Sequence, residues 1–344
     1  MSATVLHVIG SPHPIDDLLV LHALLRGGPA AEVASVHPRA ARAARELLDR
    51  KIIALPQRRR WSLTAAPALR RLLDRRDPDA VCAWGAEAAV AARAAIRDGR
   101  PLTVVLDRPV GPVDRRRLSA SLGTGAEDVR VVAASDAIAE PLRQRGFDPR
   151  FCEVIAPPGT ETPASPCDAD RGEPLRVATP PDLSPLDTDR ACWVMSLLAI
   201  VLPEPEHLVL RCDAQIERVR NRYATLAQPV RLIEAATADQ WRRELRHCRV
   251  MLLADGADRP VIVAAAASAK TAMLAGPRAV AVPWLAAARN DRPFRLAEVA
   301  LRLARHPQER SRLTRAARQA ELFTPDGSAT LRHAVGRIAV ECIR

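Results

Sequence analysis

Residues 254–276 read ADGADRPVIVAAAASAKTAMLAG, a run with few enough polar groups to weigh one at a time. A helix opening after Asp258 with Pro260 in its first turn leaves backbone N–H groups free to face an anion, and a proline there sacrifices no helical bond. Diphosphate is the anion such a terminus suits, with Arg259 as the adjacent cation, while Asp255 and Asp258 oppose it by charge. Asp258 is also the expected helix cap. Lys270 is one of two lysines in the chain; it fits better as a side chain snorkelling from an alanine-rich helix than as a ligand contact. Ser268 and Thr271 can hydrogen-bond a ligand, although helix hydroxyls more often return to their own backbone. Gly276 and Pro277 read as a helix stop. From Val263 to Pro283 there is no carboxylate. Near the start of the chain His13 has the chemistry of a general base or a phosphate ligand, with an exposed loop histidine as the commoner case.

These groups need elements to hold them. TVLHVIG, AEVASVH, KIIALP, DAVCAWG, PLTVVLD, VRVVAAS and FCEVIAP are short apolar or β-branched runs between turn signals and predict strands. Helical spacing of Ala, Leu and Arg separates them, as over Ile15–Arg26, Arg39–Arg50, Ala65–Arg76 and Ala86–Arg97. Pro141 predicts a kink or restart in the helix capped by Ser135, and Gly146 its end. Five prolines fall within 156–174 and mark a linker. A second alternating series follows: LRVATP, HLVLRC, VRLIEA, RVMLLAD and RAVAVP as strands, helices between them, and a capping box at Thr237 and Gln240.

Strand and helix in alternation demand parallel sheets with helices on both faces. The expected fold is therefore α/β, two doubly wound Rossmann-like domains facing across a cleft. The domains are residues 1–156 on the acceptor side and 175–323 on the donor side, with a linker at 157–174 and a C-terminal helix at 324–344 packing back on the first domain. Ligands in such sheets bind beyond the carboxyl ends of the strands, near the switch point of strand order.

At 344 residues with 48% hydrophobic and 26% charged content, the chain is that of a folded protein with two cores. No run approaches the roughly 18 apolar residues of a membrane span, and the expected location is cytoplasmic. Seven scattered cysteines form no C-x-x-C pair, which predicts reduced, mostly buried thiols and no metal site. The formal charge of +11 is almost wholly arginine. Clusters at 58–60, 70–71, 75–76 and 115–117 read first as solvated helix faces and second as a peripheral contact with anionic lipid at the inner membrane face. With 3% aromatics there is no base-stacking platform, so nucleic acid is not an expected partner.

Taken in order, VLHVIG, DAVCAWG, VVAASDAIAEPLRQRGFDPRFCEVIAPPG, ADQWRRELRHCRVMLLA, TAMLAGPRAVAV and RLARHPQERSRLTRAARQAELFTPDGSATL resemble the GT-B-fold retaining glycosyltransferases of the E-x7-E type. The resemblance implies a nucleotide-sugar substrate bound by the C-terminal domain, a glycan or lipid-linked acceptor at the N-terminal one, and no cofactor. It implies two glutamates eight apart, the second just before the A-M-x-A-G turn. Those positions are Val263 and Thr271 here, so both acids are missing, and Lys270 stands beside the second. Of the glycine-rich turn after the first strand only Gly10 is left, followed by Ser11, Pro12 and His13. Asp107 and Arg108 stand where the family commonly has histidine, and no Arg/Lys pair follows LRVATP, Arg190 being the nearest cation. The weak donor-site candidates are thus Asp258, Arg259, Ser268, Lys270 and Thr271, and those of the N-terminal side Gly10, Ser11, His13, Asp107 and Arg108. No residue is assigned a catalytic role. Two functions follow: a glycosyltransferase moving a hexosyl group with a degenerate motif, or a non-catalytic descendant that binds glycan or a partner. A dinucleotide oxidoreductase is disfavoured because no G-x-G-x-x-G follows a strand.

Overall fold

The structure, a computed structural model, describes residues 4–10, 14–25, 31–48, 50–55, 65–123, 128–157, 174–226, 229–253, 259–276, 282–290 and 292–320. The chain divides into two compact units that meet in sequence at Pro157 and Pro158. The expected linker, the C-terminal helix and Arg58–Arg60 lie outside the described residues.

The first unit holds seven parallel strands: β1 (Val5–Ile9), β2 (Ala31–Ser35), β3 (Ile52–Ala54), β4 (Ala80–Trp84), β5 (Leu102–Leu106), β6 (Val129–Ala133) and β7 (Cys152–Val154). Their order is β3-β2-β1-β4-β5-β6-β7, so the order reverses between β1 and β4. Six helices connect them: α1 (Ile15–Leu25), α2 (Pro38–Leu48), α3 (Ala65–Arg76), α4 (Ala86–Ala95), α5 (Pro112–Leu122) and α6 (Asp136–Arg143). Because strand side chains alternate, Leu6, Val8, Val81, Ala83, Val104 and Val131 share one face and pack with α3 to α6 in one core. The opposite face carries His7, Cys82 and Thr103 side by side in register, all buried.

Helix α6 runs through Pro141 without a restart and ends two residues later. Being so near the end, the proline removes one hydrogen bond from a helix that is closing anyway. Gly146, at φ 86°, closes it: Phe147 N–H reaches Leu142 O and Gly146 N–H reaches Arg143 O, the paired bonds of a left-handed helix stop. Two arginine clusters face inward in part. Arg70 donates to the carbonyls of Ala94 and Ala95 at the end of α4, and Arg115 to Val110 O.

The second unit has six parallel strands, β8 (Arg176–Ala178), β9 (Glu206–Leu210), β10 (Arg231–Ala235), β11 (Val250–Leu253), β12 (Ala272–Ala275) and β13 (Leu285–Ala287), in the order β10-β9-β8-β11-β12-β13. Its helices are α7 (Pro185–Val201), α8 (Ile216–Ala224), α9 (Ala238–Leu245), α10 (Pro260–Ser268), α11 (Pro293–Arg305) and α12 (Pro307–Gln319). The capping box forms: Thr237 Oγ1 accepts from Gln240 N–H, and Gln240 Oε1 reaches back to Ala236 N–H.

One expectation is overturned. The segment Ala-Met-Leu-Ala is not helical but is strand β12, fully buried between β11 and β13. A short, continuous apolar run is as compatible with an inner parallel strand as with a buried helix. Gly276 follows a strand and ends no helix. The helix stop lies six residues earlier at Lys270, with φ 60°. Lys270 N–H bonds Ala267 O and Thr271 N–H bonds Ala266 O, the same pair of bonds that Gly146 makes. The strand expected at 278–283 falls largely outside the described residues, and the sheet continues instead with β13.

Candidate functional sites at the carboxyl edges of the two sheets

In the second unit the switch point lies between β8 and β11. Three loops leave the carboxyl ends of β8, β9 and β11, and two residues fasten them. Asp213, after β9, accepts from the N–H groups of Asp182 at 3.2 Å and Gln215 at 2.9 Å. Arg259, at the N-terminal boundary of α10, donates from Nη1 to Pro181 O at 2.5 Å. Burial raises the pKa of Asp213, and those two amides together with the charge of Arg259 act against that rise. Arg259 makes no side-chain cap to α10, and Pro260 occupies the first turn as expected. Asp258 lies outside the described residues.

Among the described residues, this edge carries a guanidinium fixed by a carbonyl across the switch point, beside the amino end of a helix. Both favour an anion. Arg259 reaches this edge from the start of α10. Arg190 sits on α7, paired with Asp187 at 3.0 Å.

The other donor-side candidates are placed in the scaffold. Ser268 Oγ donates to Ala265 O at 2.9 Å, back to its own helix. Thr271 is wholly buried, and its Oγ1 donates to Leu245 O at the end of α9, 2.9 Å away. Lys270 holds the left-handed stop described above. The end of α10 is thus tied to α9, away from its amino end, so Ser268, Lys270 and Thr271 are not brought together with Arg259.

A buried chain missed in the sequence runs from Cys192 through Tyr223 and His207 to Thr179. His207 Nε2 lies 2.9 Å from Thr179 Oγ1 and its Nδ1 2.6 Å from the Tyr223 hydroxyl. Burial lowers the His207 pKa to about 3, so the ring is neutral and has both nitrogens satisfied. A cavity of about 10 Å³ beside Thr179, Thr188, His207 and Asp213 has room for one water and not for a sugar.

In the first unit the switch point falls between β1 and β4. Gly10 ends β1, and its N–H donates to Trp84 O at 3.2 Å. A Cβ at Gly10 would lie 2.3 Å from the backbone nitrogen of Ala88, so glycine is required for β1 to pass the first turn of α4. Ser11 and His13 lie outside the described residues.

Asp107 and Arg108 leave β5 and meet the first turn of α1, where two acids were missed in the sequence. Arg108 Nε donates to Asp16 Oδ2 at 3.0 Å, and Asp16 is wholly buried. Asp17 faces Asp107. Neither oxygen of Asp17 has another donor facing it among the described residues, so two carboxyls meet and only a proton held between them can join them. Burial first, then the charge of Asp107, raises the Asp17 pKa well above the carboxylate range. Burial and the charge of Asp16 raise that of Asp107 to about 6, against the pull of Arg108. The nearby Cys82 thiol is pushed up by burial and by Asp17. His7 accepts from Trp84 Nε1–H at 3.1 Å, and burial followed by the charge of Arg50 lowers its pKa to about 3. The signal that could have exposed the pair was Asp16-Asp17 at a helix start, where acids are favoured but normally reach solvent. Chemically the cluster can hold one proton over a wide pH range and fix α1 against the sheet edge.

Residues 19–159 match the family model described as Glycosyltransferase Family 4. No curated protein matches the sequence. Among solved structures, Anabaena HepE in complex with UDP-glucose is 15% identical, covers 99% of each chain and superposes with a TM-score of 0.66. Acinetobacter baumannii MurG is 14% identical over 97% of this chain and 99% of its own, at 0.58. A putative UDP-N-acetylglucosamine 2-epimerase from Listeria monocytogenes is 13% identical over 99% and 98%, at 0.67. Identities this low speak for the fold, which proteins of different chemistry share. Two all-parallel Rossmann-like sheets, GT-B likeness along nearly the whole chain and a Family 4 match in its first half make this a protein of the glycosyltransferase GT-B fold.

Proposed function

We propose that the chain is a cytoplasmic protein that binds a nucleoside-diphosphate sugar at the carboxyl edge of its C-terminal sheet. It transfers the hexosyl group to a glycan or lipid-linked acceptor held by the N-terminal unit, with the nucleotide sugar as substrate and no cofactor. The observation that carries this reading is Arg259, anchored on Pro181 O beside the amino end of α10. A leaving diphosphate is stabilised by cations and amide dipoles already in place, and removing one such group commonly costs on the order of 10²–10³ in rate. The Family 4 match and the UDP and UDP-glucose complexes of HepE support the same ligand class.

A second reading, binding without transfer, is favoured by one observation. The family pattern puts a glutamate five residues before the glycine of its turn and another eight before that. Counted from Gly276 these are Thr271 and Val263; counted from Lys270, the residue that holds the stop, they are Ala265 and Ala257. Neither register supplies an acid. Thermal-shift titration with UDP-, GDP- and ADP-sugars tests both readings, since a ligand at 100 times its Kd adds about 2.7 kcal/mol of stability. A shift that Arg259→Ala abolishes is expected. Absence of any shift refutes both readings, and a shift with no release of nucleoside diphosphate in the presence of acceptor lipid or glycan selects the second.

A further inference from the structure

Helix α7, PLDTDRACWVMSLLAIV, is apolar on two sides. One side, with Ala191, Val194, Met195 and Leu198, is in the core of the second unit. The other carries Leu186, Trp193 and Ile200, spaced by seven so that they stand in one line along the helix. These are 68%, 51% and 65% exposed, and Val201 and Phe294 beside them are also more than half exposed. Of the six large exposed hydrophobic side chains among the described residues, five lie on α7 and the start of α11, which pack together. A helix that is apolar all round ordinarily has both sides covered, and a contiguous exposed apolar patch marks an interaction surface.

The polar groups around the patch are strongly biased. Arg222 lies over the Trp193 ring at 5.2 Å and Arg295 over the Phe294 ring at 4.6 Å. Arg190 and Arg292, with Asp189 paired to Arg218, line an open depression of about 560 Å³ against Leu186 and Trp193. Arg218 adds a fifth arginine, and the carboxylates of Asp187, Asp189 and Glu298 pair with Arg190, Arg218 and Arg295, so these arginines outnumber these acids by two. The whole chain carries a formal charge of +11. A second copy of the chain would bring two cationic rims together, so self-association is opposed by charge.

We propose that this face docks on an anionic lipid bilayer. Leu186, Trp193 and Ile200 enter the boundary between headgroups and acyl chains. Arg190, Arg222 and Arg292 meet lipid phosphates, as arginine and tryptophan do at membrane interfaces. The depression receives a phosphate headgroup. The surface lies on one unit and does not depend on nucleotide-sugar binding.

The test is sedimentation of the full chain with phosphatidylcholine vesicles with and without phosphatidylglycerol. Binding only to the anionic vesicles, weakened by salt, is expected. Arg222→Ala should lower partitioning about fivefold, the worth of one cation near an anionic surface. Leu186→Ser with Ile200→Ser should lower it about tenfold or more, while leaving the circular-dichroism melt unchanged. Quenching of Trp193 fluorescence by bromine-labelled acyl chains, taken as the difference from Trp193→Phe, gives a readout that needs no destabilising variant. No sedimentation with anionic vesicles at low salt, sedimentation unchanged in the double serine variant, or a dimer that Trp193→Ser dissociates would each overturn the proposal.

Discussion

The Asp17–Asp107 pair makes the first unit's stability fall as pH rises, opposite to the usual behaviour of carboxylates. Both groups have folded pKa values above their ordinary 3.8, Asp107 raised to about 6 and Asp17 raised well above 3.8. A raised folded pKa contributes stability that is fully present below the unfolded value and is lost as pH climbs through the folded one. For Asp107 the window runs from about pH 4 to about pH 6. At roughly 1.36 kcal/mol per unit, a difference of about two units corresponds to about 3 kcal/mol. Both groups are buried, so solvent screening takes little of this away. Asp17, raised by burial and by the charge of Asp107, adds decline of the same sign. Because the two share a proton they titrate as a pair, and replacing either changes the other. Asp17→Asn keeps a donor toward Asp107 but releases no proton on unfolding, so it should flatten the curve. Asp107→Asn should remove the part that ends near pH 6 and leave the part that Asp17 contributes. The assay is native-state hydrogen exchange of α1, β1 and β5 across this range, which localises the effect to one unit where a global melt of two units would blur it. Protection of these segments that rises with pH, or an Asp17→Asn chain as pH-dependent as the original, refutes the reasoning.

Gly10→Ala should lose about 1–3 kcal/mol in denaturant titration, because the new methyl meets the Ala88 backbone nitrogen and β1 or α4 must shift. Lys270→Gly should gain roughly 0.5–1 kcal/mol, since glycine adopts the left-handed stop without strain; an unchanged or lower melting temperature would contradict the assignment of the stop. Thr271→Val should cost about 0.5–1.5 kcal/mol through loss of its bond to Leu245 O, which keeps the Cys248 N–H as a donor, and leave nucleotide-sugar binding unaltered. A loss of binding with stability intact would instead return Thr271 to the ligand site.

What could be read from the chain, and what could not, follows from how far each signal reaches. Strand β1 and helix α3 are local facts: VLHVI is apolar between turns, and Ala65–Arg76 repeats Leu69, Leu72 and Leu73 on one side. Periodicity and caps declare such elements, and the Thr237–Gln240 box and the Gly146 stop formed where the residues stand. The Ala260s run has no such declaration. Apolar residues run on from Val261 to Ala275 with few polar breaks and no glycine or proline, so only pairing with β11 and β13 separates α10 from β12. With no glycine at the stop, a lysine carries a conformation that sequence habit assigns to Gly276. That displacement by six residues gives the spacing a second register, and neither register meets an acid. The acid pair was hidden for the opposite reason. Asp107 stands at the end of β5 and Asp17 ninety residues earlier at the start of α1. Each looks like an ordinary turn or first-turn acid until the parallel sheet brings both beneath the carboxyl edge. Long-range juxtaposition also made Arg259 the cation of the other edge, reaching from one loop to the carbonyl of another 78 residues away. If that reach is what positions a diphosphate, shortening it with Arg259→Lys should keep the charge but lose the planar fork that meets a carbonyl and a phosphate together. Nucleotide-sugar affinity would then fall close to the alanine value, whereas a lysine that restored it would show that the site asks for charge and not for the bridge.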